Sequence, residues 1–108
     1  MAVLRLDSAT ELRLSIDGSA QVGEAEALSG SFREALEASP PSVVLDLGGL
    51  TRVDLCFFQL MLALGRSLAS QGRNLVIRPL PPDHLVREEA ALLGIDFKRL
   101  GAGGDTKQ

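Results

Sequence analysis

Val43–Leu64, reading VVLDLGGLTRVDLCFFQLMLAL, constrains the fold more than any other stretch of this chain. Its first residues, VVLDL, are nearly all apolar, as in a central strand covered on both faces. Gly48-Gly49 breaks that run, Leu50–Val53 suits a short extended piece, and Asp54 precedes a helix expected from Leu55 or Cys56 to Gln71. An aspartate there suits the N-cap, where its carboxylate accepts an amide of the first turn. Within the helix, Gln59, Ala63, Arg66 and Ser70 form the one small or polar stripe, so most of the remaining surface must be buried. Gly72 is a good residue to follow its end.

The flanking segments fit an α/β domain. Val3–Leu6 is short and β-competent, and Glu11–Asp17 alternates with Leu12, Leu14 and Ile16 on one face. Such alternation gives one face to the core and one to water. Gly18 is expected to stop this strand. From Gly23 to Ala38 the period becomes helical, with Ala25, Leu28, Phe32, Ala35 and Leu36 on one stripe, and Ser39-Pro40-Pro41 ends it. Asn74–Arg78 reads as another buried strand. Leu80-Pro81-Pro82-Asp83 leads into a helix whose first turn tolerates proline. Leu85, Val86, Glu89, Ala90, Leu92 and Leu93 mark its face, with Gly94 as its C-cap. Ile95–Leu100 suits a last strand or extended arm, and residues 101–108 a flexible tail. The order ββαβαβα, with a final β in question, implies right-handed crossovers, a parallel or mixed sheet, and helices mainly on one side.

Composition narrows the function. The chain has 108 residues and 45% hydrophobic content, enough for one domain with a real core. A single cysteine and a single histidine offer neither an internal disulfide nor a familiar metal cage. A reduced cytoplasmic setting is the expectation. The N-terminus has no signal-peptide h-region, and no apolar run approaches the ~18–20 residues that span a bilayer. Net charge is −3, which argues against nucleic-acid binding. Residues 1–50 hold three Arg against eight acids, and residues 51–108 hold eight basic residues against six acids. That asymmetry suits electrostatic choice of partner, although an ordinary solvated surface explains it as well. Without Trp or Tyr there is no aromatic platform for bases.

Few residues suggest chemistry. Gly48-Gly49 reads as a tight turn before a phosphate cradle. Cys56 lies at a helix start, where the dipole favours thiolate, but greasy neighbours oppose ionisation and only His84 offers a base. An inert thiol is the better reading. Asp54 reads as a cap before a general acid or ligand, and Asp46 as a carboxylate bonded to the loop that follows it. His84 reads as an exposed surface residue. Phe57 and Phe58 point 100° apart, so either both rings enter the core or one is left as a partner anchor.

VVLDLGGLTRVD, the buried helix after it, and GRNLVIRPLPPDHLVREEAALLGID together resemble the STAS domain (sulfate transporter and anti-sigma factor antagonist) over residues 2–100. The resemblance implies an α/β fold with a mixed or parallel sheet of about four or five strands and three or four helices, mainly on one face. It also implies one domain over residues 1–100. In that family the junction commonly reads Asp-Ser-Ser/Thr-Gly-Leu, and a partner kinase that doubles as anti-sigma factor phosphorylates the second hydroxyl. The added dianion repels the partner. Here the matching residues are Asp54, Leu55, Cys56, Phe57 and Phe58, so the acceptor position holds a thiol. Thr51 is the nearest hydroxyl, in the preceding loop.

The resemblance therefore implies a non-enzymatic, cytoplasmic module without cofactor or metal. Its partner would be an anti-sigma factor or a histidine-kinase-like ATPase regulatory protein. The contact would involve Thr51, Asp54, Leu55, Cys56, Phe57, Phe58 and Gln59, with no phosphorylation at Cys56. Two alternatives belong to other classes. One is a small STAS subunit docked on a lipid-transport ABC ATPase, and the other a sensor holding a nucleotide or lipid near Gly48–Asp54. A redox-active Cys56 ranks below these. No direct membrane insertion is expected, and a homodimer is left open.

Overall fold

The computed structural model of the chain describes residues 1–95. Five strands, β1 (Ala2–Asp7), β2 (Glu11–Ala20), β3 (Ser42–Asp46), β4 (Leu50–Val53) and β5 (Asn74–Ile77), alternate with three helices, α1 (Ala25–Glu37), α2 (Leu55–Ser70) and α3 (Leu85–Leu92). The sheet order is β1-β2-β3-β5, with β4 paired to β2 off this path. β1 is antiparallel to β2, and the other pairings are parallel. This is the mixed α/β architecture expected. The last strand expected over Ile95–Leu100 and the tail at 101–108 lie, beyond Ile95, outside the described residues.

Register explains the core. Leu12 sits opposite Val43 and Leu14 opposite Leu45, while Val43 and Leu45 sit opposite Leu75 and Ile77. Paired residues share a face, so these side chains form one apolar layer across three strands. Phe57, Phe58, Met61, Leu64 and Leu68 of α2 belong to the same core, with Leu28, Phe32 and Ala35 of α1 and Val86 and Ala90 of α3. The expected polar stripe of α2, Gln59, Ala63, Arg66 and Ser70, is exposed.

Several boundaries differ from the sequence expectation. Gly18 does not stop β2: it takes φ +85, the register shifts there, and Ser19 and Ala20 continue by pairing with Arg52 and Val53 of β4. Glycine thus permits a bulge. A 3-10 turn at Val22–Glu24 precedes α1, which begins at Ala25 rather than Gly23. The two prolines at 81 and 82 precede the α3 N-cap, His84, and lie outside the first helical turn. Leu92 and Leu93 do not face the core and are 80% and 42% exposed, because α3 ends at Leu92 and turns away at Gly94.

One side chain closes the far end of α1. The Arg73 guanidinium donates to the carbonyl oxygens of Ala35 at 3.0 Å, Leu36 at 3.1 Å and Pro40 at 2.8 Å. Ala35 and Leu36 belong to the last turn of α1, whose carbonyls lack a full set of helical partners, and Pro40 lies in the loop that follows. A cation there also complements the negative end of the dipole.

Candidate functional site

The turn between β3 and β4 brings the chain sharply round into α2. Leu50 N–H donates to Leu47 O at 3.1 Å, closing a four-residue turn over Gly48-Gly49. Gly48 N–H donates to Asp46 Oδ1 at 3.1 Å, as expected for a carboxylate at the strand's exit. Gly49 O accepts from Gly18 N–H at 2.9 Å, and a Cβ on Gly49 would overlap the Asp17 carboxyl group. The glycine leaves room for the Asp17 side chain of β2 to lie close against the turn, and the pair reads as a turn, not a phosphate cradle.

Asp54 caps α2. Its Oδ1 accepts from Phe57 N–H at 3.4 Å, and its Oδ2 accepts from Val22 N–H at 2.9 Å. The second bond was not visible in the sequence, since it joins residues 32 apart. It fastens the turn that opens α1 to the start of α2, so that Val22 and Leu55 flank one carboxylate. Val22 is 71% exposed and Leu55 49% exposed. Val22 is the residue that sequence reading missed. The available signal was an apolar side chain in the short link QVGE, between a strand and a helix. Glu24 steadies the same link by accepting Gln21 N–H at 3.0 Å, a capping-box contact.

The expected contact residues divide into two groups. Thr51, Leu55 and Gln59 are exposed, and Asp54 and Cys56 are partly buried. Phe57 and Phe58 are 1% and 0% exposed, so of the two arrangements left open by the sequence, both rings enter the core and neither is an exposed anchor. Their rings pack edge to face at 5.3 Å, and α2 is enclosed by α1 and the sheet. They hold the helix start in place and contribute no side-chain surface. Arg52, exposed on β4, adds a cation beside Thr51.

His84 is not a bare surface residue. Its Nδ1 accepts from Val86 N–H at 3.1 Å, capping α3, and its Nε2 lies 3.1 Å from Gly48 O. With Nδ1 accepting, the neutral Nε2–H tautomer donates to that carbonyl. The ring therefore pins α3 to the β3–β4 turn through backbone groups of Gly48 and Val86. Cys56 is a free cysteine, and no cluster of three metal-ligating side chains occurs among the described residues. A cleft of about 160 Å³ between α1 and α2, lined by Phe32, Leu36, Leu60 and Leu64 among others, includes none of residues 51–59. No helix among the described residues is long and apolar enough to cross a membrane.

Comparison with known proteins agrees with the architecture. The fold is similar to that of an anti-sigma factor antagonist from Mycobacterium paratuberculosis, with TM-score 0.70 and 22% identity over 86% of this chain and 77% of that one. It is similar to the anti-sigma factor antagonist SpoIIAA in its unphosphorylated form, with TM-score 0.64 and 14% identity over 81% of this chain and 82% of that one. It also resembles part of Mglu, with TM-score 0.62 and 20% identity over 71% of this chain, which spans only 19% of that one. No curated protein sequence matches. The family model described as "Mlab, STAS domain" matches residues 4–100. The chain therefore belongs to the STAS-domain family that this model describes.

Proposed function

We propose that the chain is a non-enzymatic regulatory binding module that docks a kinase-like or anti-sigma-type partner through the segment 51–59 together with Val22. The observation that carries this reading is the Asp54 carboxylate, which accepts one amide from each side of the surface and holds Leu55 and Val22 exposed beside it. Exposed apolar side chains on a braced backbone suit recognition, because little freedom is lost on docking. The antagonists of similar fold supply the partner class. Cys56 stands where the family's phosphoacceptor hydroxyl would be, so the partner is bound constitutively or controlled by something other than phosphorylation there. Absence of catalysis fits a thiol whose one candidate histidine base, His84, is engaged by Gly48 and Val86.

The test is affinity capture from the native cell with the wild-type chain and with Leu55→Asp. The reading expects an anti-sigma or histidine-kinase-like ATPase protein retained by the first and lost from the second. Incubation with the captured kinase and ATP is expected to leave residues 51–59 unmodified; phosphate found on any of them would sink the phosphorylation-independent part.

The missing hydroxyl also favours a second reading, a small subunit docked on a transport ATPase without a phosphorylation cycle. Retention of a lipid-transport ABC ATPase, in place of a kinase, would decide for it.

A further inference from the structure

β1 ends the sheet. Among the described residues it pairs with β2 on one side only. An unpaired edge is normally blunted by Pro, Lys or a bulge. The strand AVLRLD has neither Pro nor Lys, and its register with β2 runs unbroken over all its residues. Leu4 and Leu6 are 60% and 57% exposed. Both lie on the sheet face away from the core, since Arg5 and Asp7 sit opposite the buried Leu14 and Leu12.

The backbone groups of the edge can be assigned. Ser8 N–H donates to Glu11 O at 2.8 Å, so Ser8 and Glu11 form a hydrogen-bonded pair in the antiparallel ladder. Such pairs alternate along a strand. Leu6, Leu4 and Ala2 therefore direct their N–H and C=O groups at β2, and Val3, Arg5 and Asp7 direct theirs outward. A strand added at this edge must bond to those outward groups.

We propose that the occupant is a second copy of this chain, paired antiparallel through β1 with Arg5 opposite Asp7 of the second copy and Leu6 opposite Leu6. Three observations select this arrangement. Arg5 and Asp7 are the charged members of the outward-bonding set, so pairing them satisfies the ladder twice by symmetry. Their charges are opposite and already attract, with Nε to Oδ1 and Nη2 to Oδ2 both 2.8 Å within one strand. The two Leu6 side chains then fall at a non-hydrogen-bonded position, where opposed Cα atoms come within about 4.5 Å and apolar contact is greatest. Shifting the register by one pair in one direction would set Arg5 against Arg5. The contact is short, below the ~1,200 Å² of a standard interface, so the dimer is concentration-dependent. It lies on a different face from the junction and does not depend on the function proposed above.

Sedimentation velocity of the full chain from about 1 μM to about 1 mM tests this. A sedimentation coefficient that rises with concentration is expected. Leu6→Lys, with two ammonium groups meeting at the axis, should lower the association constant about tenfold or more. Arg5→Asp should weaken association, and Arg5→Asp with Asp7→Arg should restore it. In a Cys56→Ser background, oxidised Leu6→Cys should cross-link, since opposed Cα atoms lie within disulfide reach. Leu4→Cys should not, because its symmetry mate lies about 13 Å along the strand. A monomer at every concentration, cross-linking by Leu4→Cys instead of Leu6→Cys, or failure of the charge swap to restore association would each overturn the proposal. Circular dichroism verifies that every variant is folded.

Discussion

The Asp54 carboxylate accepts the Val22 amide at 2.9 Å, 32 residues back along the chain, while its other oxygen caps α2 through Phe57. One side chain thus fixes both the helix start and the neighbouring turn. Asp54→Ala removes both bonds and is expected to cost about 1–2 kcal/mol, from cap and hydrogen-bond magnitudes. Asp54→Asn keeps one oxygen acceptor and should cost about half as much. Urea unfolding measures the totals. Faster hydrogen exchange at Val22 in Asp54→Ala checks the long-range bond, while Phe57 N–H keeps its 3.1 Å bond to the Asp54 backbone carbonyl and should stay protected.

Arg73 performs a similar service for α1, at a greater distance from the site. Its three carbonyl contacts predict a graded series. Arg73→Ala should destabilise by about 1–2 kcal/mol, since partly buried carbonyls lose charged donors. Arg73→Lys keeps the charge without the planar fork and should lie between the two. A lysine variant as stable as wild type in a denaturant titration would show that charge alone matters.

A Cβ on Gly49 would overlap the Asp17 carboxyl group, but Asp17 is exposed and can rotate away. Gly49→Ala should therefore cost only about 1 kcal/mol, at the low end for overpacking. Adding Asp17→Ala removes the obstacle and should return most of that loss. A double-mutant cycle checks it, with an expected coupling of about 0.5–1 kcal/mol.

What the sequence made legible was local. The Asp54 cap, the Asp46 bond to the next loop and the Gly48-Gly49 turn each join residues within three positions, where backbone geometry alone decides. The apolar stripes of α1 and α2 were legible for the same reason. The unread contacts were long-range: Val22 with Asp54, His84 with Gly48, and Arg73 with the end of α1. No local pattern encodes them. Phe57 and Phe58 were undecided because successive helical residues diverge by 100°, and only the enclosure of α2 by α1 and the sheet buries both. Gly18 misled because glycine ends some strands and bulges others, and only the pairing partner β4 decides which.

The Arg5–Asp7 pair gives a pH dependence. The hydrogen bond from Arg5 holds the Asp7 carboxyl below its ordinary value of 3.8, against a smaller opposing effect of desolvation. A carboxyl depressed in the folded state stabilises fully above the unfolded value and loses that contribution as pH falls through the lower, folded value. The window therefore lies below pH 3.8, and the solvent-exposed setting of the pair keeps the effect small. NMR titration of the Asp7 carboxyl should show the depression in wild type and its disappearance in Arg5→Ala.

Cys56 gives the prediction closest to function. It sits in the first turn of α2, partly buried, one residue after the exposed Leu55. A negative charge at this end of a helix complements the dipole, so Cys56→Glu should fold normally. At the partner surface the same charge should repel an acidic or apolar docking face, as phosphate does elsewhere. Binding to the partner retained on affinity capture should fall about tenfold or more in Cys56→Glu, and stay within about twofold in Cys56→Ser. Isothermal calorimetry measures both. Equal affinity for the two variants would mean that residue 56 lies outside the contact, and the surface would then have to be redrawn around Val22 and Thr51.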